Sequence, residues 1–174
     1  RGFDVLDLTK NSNFEECCFL LLHDHLPNKI EFEEFTSKLK EARAIPEQMQ
    51  KNMRNWRKNA HPMDVLQAFV AALAGYYDEQ GTEKEISQQR AINLIAKVPT
   101  IISSWERVRN DKEPIQPDPE LSHASNFLYM LTGNKPDKEM ERVFDVCLIL
   151  HADHTFNAST FAAREVASTR AHMY

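Results

Sequence analysis

Apolar positions recur along this chain mainly at three- and four-residue intervals, the spacing of helix faces rather than strands. Ser12 and Glu15 stand at capping-box spacing, which predicts a helix over Phe14 to His23. Cys17, Cys18, Leu20, Leu21 and Leu22 leave it little polar face, so burial on most sides is expected. His23-Asp24-His25-Leu26-Pro27 ends it. Asn28 and Glu31 then cap a helix with an apolar stripe of Ile30, Phe35, Leu39 and Ala42. Its charged face, including Glu33, Glu34, Lys38, Lys40 and Glu41, reads as a solvated surface. Pro46 restarts a short helix with Met49, Met53 and Trp56 on one side.

Pro62 suits the first turn of a helix running to about Tyr77. Val65, Leu66, Phe69, Val70, Leu73 and several alanines surround it almost completely. The polar stretch from Asp78 to Glu85 reads as a loop. From Ile86 to about Arg109 comes the longest helical pattern, with Pro99 inside it as an expected kink. Pro114, Pro117 and Pro119 mark an extended connection. Ser122 caps a helix ending at Gly133, and Asp137 opens the next. Val146 to Leu150 alone would also suit a strand; the helix-favouring lead-in from Lys138 to Arg142 decides for helix. Asn157 opens a last helical pattern, Ala158 to Met173. Arg1 to Leu8 reads as a short mixed segment, a loop against the first helix.

The expected fold class is therefore all-α, with a short strand pair near Arg1 as the sole departure allowed. Only four glycines in 174 residues agree with it. A net charge of -5, with Lys and Arg scattered, speaks against nucleic acid as a partner. No apolar run reaches membrane-spanning length, so no membrane partner is expected. Cys17, Cys18 and Cys147 form neither a zinc pattern nor a disulfide framework; free thiols suit a reducing compartment, here the cytoplasm. The chain opens on Arg1, so targeting upstream is not judged.

The titratable groups gather where two helical patterns meet, at His151, Asp153 and His154. Helix ends carry unpaired donors and acceptors, and such junctions suit anions. Three-residue spacing also permits two metal ligands, but His172, the nearest third candidate, has no motif tying it to the pair. A plain pair of capping histidines is the alternative. His23 and His25 are either substrate contacts or partners of a helix dipole. His123, beside the Ser122 cap, either reaches a ligand or bonds nearby backbone.

The run His151-Ala152-Asp153-His154-Thr155-Phe156-Asn157-Ala158-Ser159-Thr160 resembles the segment that holds an oxaloacetate-binding histidine in citrate synthases. Arg1-Gly2-Phe3-Asp4, Ala60-His61-Pro62-Met63-Asp64-Val65-Leu66 and Leu94-Ile95-Ala96-Lys97-Val98-Pro99-Thr100 resemble the same family in the same order. So do Leu121-Ser122-His123 and Met130-Leu131-Thr132-Gly133. The resemblance, to the compact bacterial and archaeal type, covers residues 1–174 but only the front part of the family's sequence. It departs at Asp24, where the family usually has glycine.

The resemblance implies part of the family's helical large domain, with the small domain and the rest of the large domain outside these residues. It implies condensation of acetyl-CoA with oxaloacetate to citrate and CoA, acetyl-CoA being a substrate and no cofactor being needed. His154 is the implied oxaloacetate contact, with His151 orienting the pocket; His23 stands beside them as a candidate ligand or substrate contact read from its place at a helix end. Asp153 would hold an imidazole in its tautomer. The two catalytic histidines and the catalytic aspartate would lie beyond Tyr174, so these residues alone are not expected to turn over substrate. The implied assembly is a homodimer through the helices around Pro62 to Tyr77 and Ile86 to Arg109. Other readings are a 2-methylcitrate synthase using propionyl-CoA, or a helical binding module without catalysis. His151 favours citrate, since methylcitrate enzymes tend to replace that histidine.

Overall fold

The computed structural model describes residues 2–78, 80–152 and 158–169. Those residues form α-helices joined by loops and one 3-10 turn, with no strand among them. The expected all-α class holds, and Val146 to Leu150 is helical.

The first helix was not foreseen. Asp4 accepts a hydrogen bond from the Leu6 N–H and caps α1, Val5–Asn11, where a loop or strand pair was expected. The next helix, α2, is Phe14–His23 as predicted, but its cap is shifted by one residue. Asn13 and Glu16, not Ser12 and Glu15, make the reciprocal capping box, and the Ser12 hydroxyl donates to Glu16 Oε2 at 2.7 Å. The shift leaves Glu15 pointing inward, 6% exposed. Asp24 ends α2 in the left-handed region, φ 67°, as its place after the last apolar turn requires.

Asn28 and Glu31 cap α3, Lys29–Glu41, as expected. Its buried stripe is Phe35 and Leu39, while Ile30 in the first turn is 68% exposed. The short α4, Glu47–Met53, buries Met49 and Met53; Trp56 falls beyond its end, half-exposed against Phe69. Pro62 is the first residue of α5, Pro62–Ala72, which tightens into a 3-10 turn, Leu73–Gly75, before Tyr77. Only Val65, Phe69 and Leu73 are fully buried there.

The longest helix, α6, is Glu83–Arg109 and begins earlier than the apolar pattern suggested. Thr82 and Glu85 make its capping box, so the polar stretch before Ile86 already belongs to the helix. It runs through Pro99 as one element. Two apolar cores share α6. Ile92 and Ala96 pack with Cys18, Phe19, Phe35 and Leu39; Ile101, Trp105 and Val108 pack with Met49, Met53, Val65, Phe69 and Leu73. Between them α6 turns a polar step inward, where the Thr100 hydroxyl donates to the Arg43 carbonyl at 2.7 Å.

Ser122 caps α7, His123–Thr132, and Gly133 ends it with φ 92°, a backbone state that a Cβ would strain. Asp137 accepts from the Met140 N–H at the start of α8, Lys138–Ala152. The last described helix is α9, Ala158–Ser168; the expected run to Met173 extends outside the described residues. α6 packs on α3, α4, α5 and α7, and α8 packs on α7, α2 and α1. This arrangement fixes the direction in which α8 delivers its C-terminal end.

Candidate functional site

The end of α8 is held in place by polar contacts rather than by apolar packing alone. Asp145, 6% exposed, accepts from the Phe14 N–H at 2.9 Å and from Arg142 at 2.9 Å. Arg142 also donates to the carbonyls of Ser12, at 2.9 Å, and Thr9. One carboxylate and one guanidinium thus tie α8 to the α1–α2 junction. Burial pushes the Asp145 carboxyl up, while the Phe14 N–H and Arg142 pull it back.

A second clamp lies deeper. Glu15 accepts from the His123 N–H at 2.7 Å, joining α2 to the first turn of α7. Burial raises the Glu15 carboxyl and depresses the His123 imidazole to about 4, so that ring is neutral near pH 7. His123 lies against Phe14 with ring centroids 4.9 Å apart. Neither of its two readings is met by these contacts: the bond to Glu15 comes from the backbone N–H, and the buried Nδ1 of the ring has no hydrogen-bond partner among the described residues. Sequence reasoning passed over Glu15 and Asp145 as site supports. Their signal was a carboxylate on an otherwise apolar helix face.

Over the last turn of α8 lies a crevice of about 90 Å³ lined by Phe3, Val5, Cys17, Leu21, Ile149 and Ala152, among others. Cys17 faces it as a thiol, pushed up to about 11 by burial and then by the charges of Asp145 and Glu16. His151 is in the last turn of α8, exposed, with Nδ1 2.6 Å from the Cys147 carbonyl. A carbonyl only accepts, so Nδ1 carries the proton, and in the neutral ring Nε2 is the acceptor. His154, Asp153 and His172 lie outside the described residues. The junction between Ala152 and Ala158 is thus described by its two flanking helices.

His23 ends α2 on a different side. It stacks on Phe19 at 4.2 Å and lines a cavity of about 390 Å³ between α2, α3 and α6 with His25, Glu31 and Glu85. The described contacts therefore do not bring His23 together with His151. Burial, then the neighbouring His25, lowers the His23 imidazole below its usual range. Among the described residues, no group of three or more His, Cys, Asp or Glu side chains is placed to hold a metal ion. No helix among them is long and apolar enough to cross a membrane.

The described residues define the class: an all-α domain in which His151 stands in the last turn of α8. The family model described as citrate synthase, C-terminal domain, matches residues 1–174. A citrate synthase of Synechocystis is 41% identical over 175 residues, spanning 100% of this chain and 44% of that protein. A 2-methylcitrate synthase of Shewanella oneidensis is 36% identical, spanning 100% of this chain and 46% of that protein. The crystal structure of citrate synthase from Pyrobaculum aerophilum superposes with a TM-score of 0.88 at 38% identity, covering 98% of this chain and 45% of that one. The chain belongs to the citrate synthase family. It spans less than half the length of these curated relatives.

Proposed function

We propose that this chain is part of a citrate synthase that condenses acetyl-CoA with oxaloacetate, and that it supplies the helical scaffold and one wall of the oxaloacetate pocket. The observation that carries the proposal is family membership across all 174 residues, joined to a site-facing helix, α8, clamped at Asp145 and Arg142. His154 is the oxaloacetate contact in this reading. A histidine beside the substrate carbonyl donates a hydrogen bond that strengthens as negative charge develops there. His151 orients the pocket, its Nδ1 proton held by the Cys147 carbonyl. His23 is assigned a lesser part at the α2 end.

In this reading a carboxylate base removes a proton from the methyl group of acetyl-CoA, and a histidine stabilises the enol. The enol attacks the oxaloacetate carbonyl, and water then cleaves the thioester to release CoA. We assign the base and the enol-stabilising histidine to the part of the family's length beyond Tyr174. The 174 residues alone are therefore expected to show no turnover. They belong to the large domain, and the small domain lies outside them. The cytoplasm is the proposed location, consistent with three free cysteines.

We propose a homodimer through α5 and α6. An apolar groove of about 560 Å³ between α5, α6 and α7 supports it, with Met63 60% and Ile102 37% exposed along its edge. A monomer of the intact protein in sedimentation at micromolar concentration would contradict that assembly.

The second reading is a 2-methylcitrate synthase, favoured by the relative from Shewanella oneidensis that carries that name. Thiol release by the intact protein, assayed with oxaloacetate and either acetyl-CoA or propionyl-CoA, separates the two. Preference for acetyl-CoA is expected. Preference for propionyl-CoA reverses the choice, and no release from either leaves a helical binding module.

A further inference from the structure

We propose that His25 is a pH-sensitive clasp whose imidazolium joins the end of α2 to the cap of α3, and whose deprotonated ring holds only one of the two. The geometry requires it. His25 Nδ1 lies 3.0 Å from the His23 carbonyl, and Nε2 lies 3.2 Å from Glu31 Oε1. A carbonyl and an ionised carboxylate both accept and neither donates. A neutral imidazole has one N–H and can satisfy one of them; the imidazolium satisfies both. The same Glu31 takes the Asn28 N–H at 2.8 Å on its other oxygen, closing the capping box of α3. One carboxylate therefore serves the ring and the first turn together.

The surroundings set the direction. On the α2 side, Asp24 favours the His25 cation, and His23 supplies the accepting carbonyl. On α3, Glu31 is the largest influence, and Glu34 and Lys38 line the same cavity. From α6 come Glu85, on the cavity wall, and Lys84, whose charge acts on His23. The Glu31 hydrogen bond, followed by the His23 carbonyl, raises the His25 imidazole above its ordinary value. The Asn28 N–H and His25 hold Glu31 below the usual carboxylate range.

The sign follows by linkage. A histidine raised on folding contributes stability below its unfolded value, about 6.5, and loses it as pH rises through the folded one. A lowered glutamate loses its contribution only as pH falls through its folded value. The clasp is thus closed from mildly acidic pH up to the raised His25 midpoint and opens above it. His25 and Glu31 stand on the wall of the cavity that His23 also lines, so the opening changes that wall.

The test is histidine side-chain NMR and amide exchange on the full chain between pH 5 and 9. At pH 6 both ring nitrogens of His25 are expected to be protonated, with a midpoint above about 6.5. Glu31→Gln keeps a side chain that suits the capping box but removes the charge, so the His25 midpoint is expected to fall toward its ordinary value. Exchange protection of the first-turn amides of α3, corrected for intrinsic rates, is expected to fall by about two- to fivefold from pH 6 to 8. His25→Gln is expected to abolish that dependence. An ordinary His25 midpoint, a midpoint unmoved by Glu31→Gln, or the same protection profile with and without His25 overturns the proposal.

Discussion

Lys97 gives a stability prediction whose size and sign both follow from its surroundings. It is 3% exposed on α6, and Nζ donates to the Ala42 carbonyl at 2.5 Å and to Asn93 Oδ1 at 3.1 Å. Its third direction is taken by the Tyr77 ring, with Nζ 4.7 Å from the centroid. No ion pair to Lys97 is present among the described residues, and burial lowers its pKa from 10.5 to about 8. That fall corresponds to about 3 kcal/mol for a charge fully removed from water. The cavity that Lys97 lines beside Tyr77 and Asp78 admits solvent screening, which reduces the figure to ~1–2 kcal/mol. Between pH 8 and 10.5 the unfolded chain keeps a proton that the folded chain has released. Stability must therefore rise with pH across that window through this group. Lys97→Met removes the charge but strips a donor from Ala42 and Asn93, costing about 1–3 kcal/mol. The two effects nearly cancel near pH 7, so a single melting temperature says little. Urea unfolding at pH 7, 8, 9 and 10 separates them: the wild type is expected to gain ~1–2 kcal/mol on the variant between pH 8 and 10. Tyr77, itself raised by burial, is common to both proteins and drops out of the difference to first order. Parallel curves over that range would refute the reasoning.

On the proposed assignment, His154→Ala in the intact protein is expected to weaken oxaloacetate use by about 1.5–3 kcal/mol while leaving thermal unfolding unchanged, and His151→Ala to cost less. Steady-state kinetics beside melting curves test both; equal losses restored by zinc would instead mark a metal pair. Asp145→Ala leaves the Phe14 N–H and Arg142 without their acceptor and should destabilise the chain by ~2–3 kcal/mol in urea unfolding. Asn13→Ala should cost about 1 kcal/mol because the Glu16 N–H loses its acceptor, whereas Ser12→Ala removes only the hydroxyl donated to Glu16 and should cost less; a larger loss from Ser12→Ala than from Asn13→Ala would contradict the observed box.

Local rules read well wherever a single helix carried its own signals. Asn28 with Glu31, Pro62 at a first turn, Ser122 with Gly133, and the lead-in to α8 all appear at their predicted places. The errors share a cause. Ser12 and Glu15 had the right spacing for a box, but so did Asn13 and Glu16, and sequence spacing cannot choose between adjacent registers. The choice was made by α7, whose His123 N–H takes Glu15 as its acceptor across 108 positions of sequence. Once Glu15 turns inward, Asn13 and Glu16 fall on the outer side and become the cap. α1 was missed because its lone N-cap, Asp4, precedes a seven-residue stretch too short to show a period. In α6 the helix started before its apolar face did, because Thr82 and Glu85 carry the capping signal and Ile86 only the burial signal.

The candidate site divides along the same line. His151 and His154 stood out in the sequence because two imidazoles fall within four residues of a run that resembles a family segment; of the two, the described residues include His151. What positions the helix that carries His151 was not legible, since it depends on groups far away in sequence. Asp145 meets Phe14, and Arg142 meets the carbonyls of Ser12 and Thr9, each across about 130 positions. These contacts place the α1–α2 junction under the end of α8, so a fault at residue 14 reaches the corner without touching a histidine. A charged pair that ties two backbones is directional where apolar packing is not. Ile149 and Ala152 share a crevice with Leu20 and Leu21, a contact without hydrogen bonds to orient it. Asp145 adds that direction, because its two oxygens take the Phe14 N–H and Arg142 separately. The register of α8, and with it the position from which His151 faces outward, is therefore set by a polar clamp two turns before the corner.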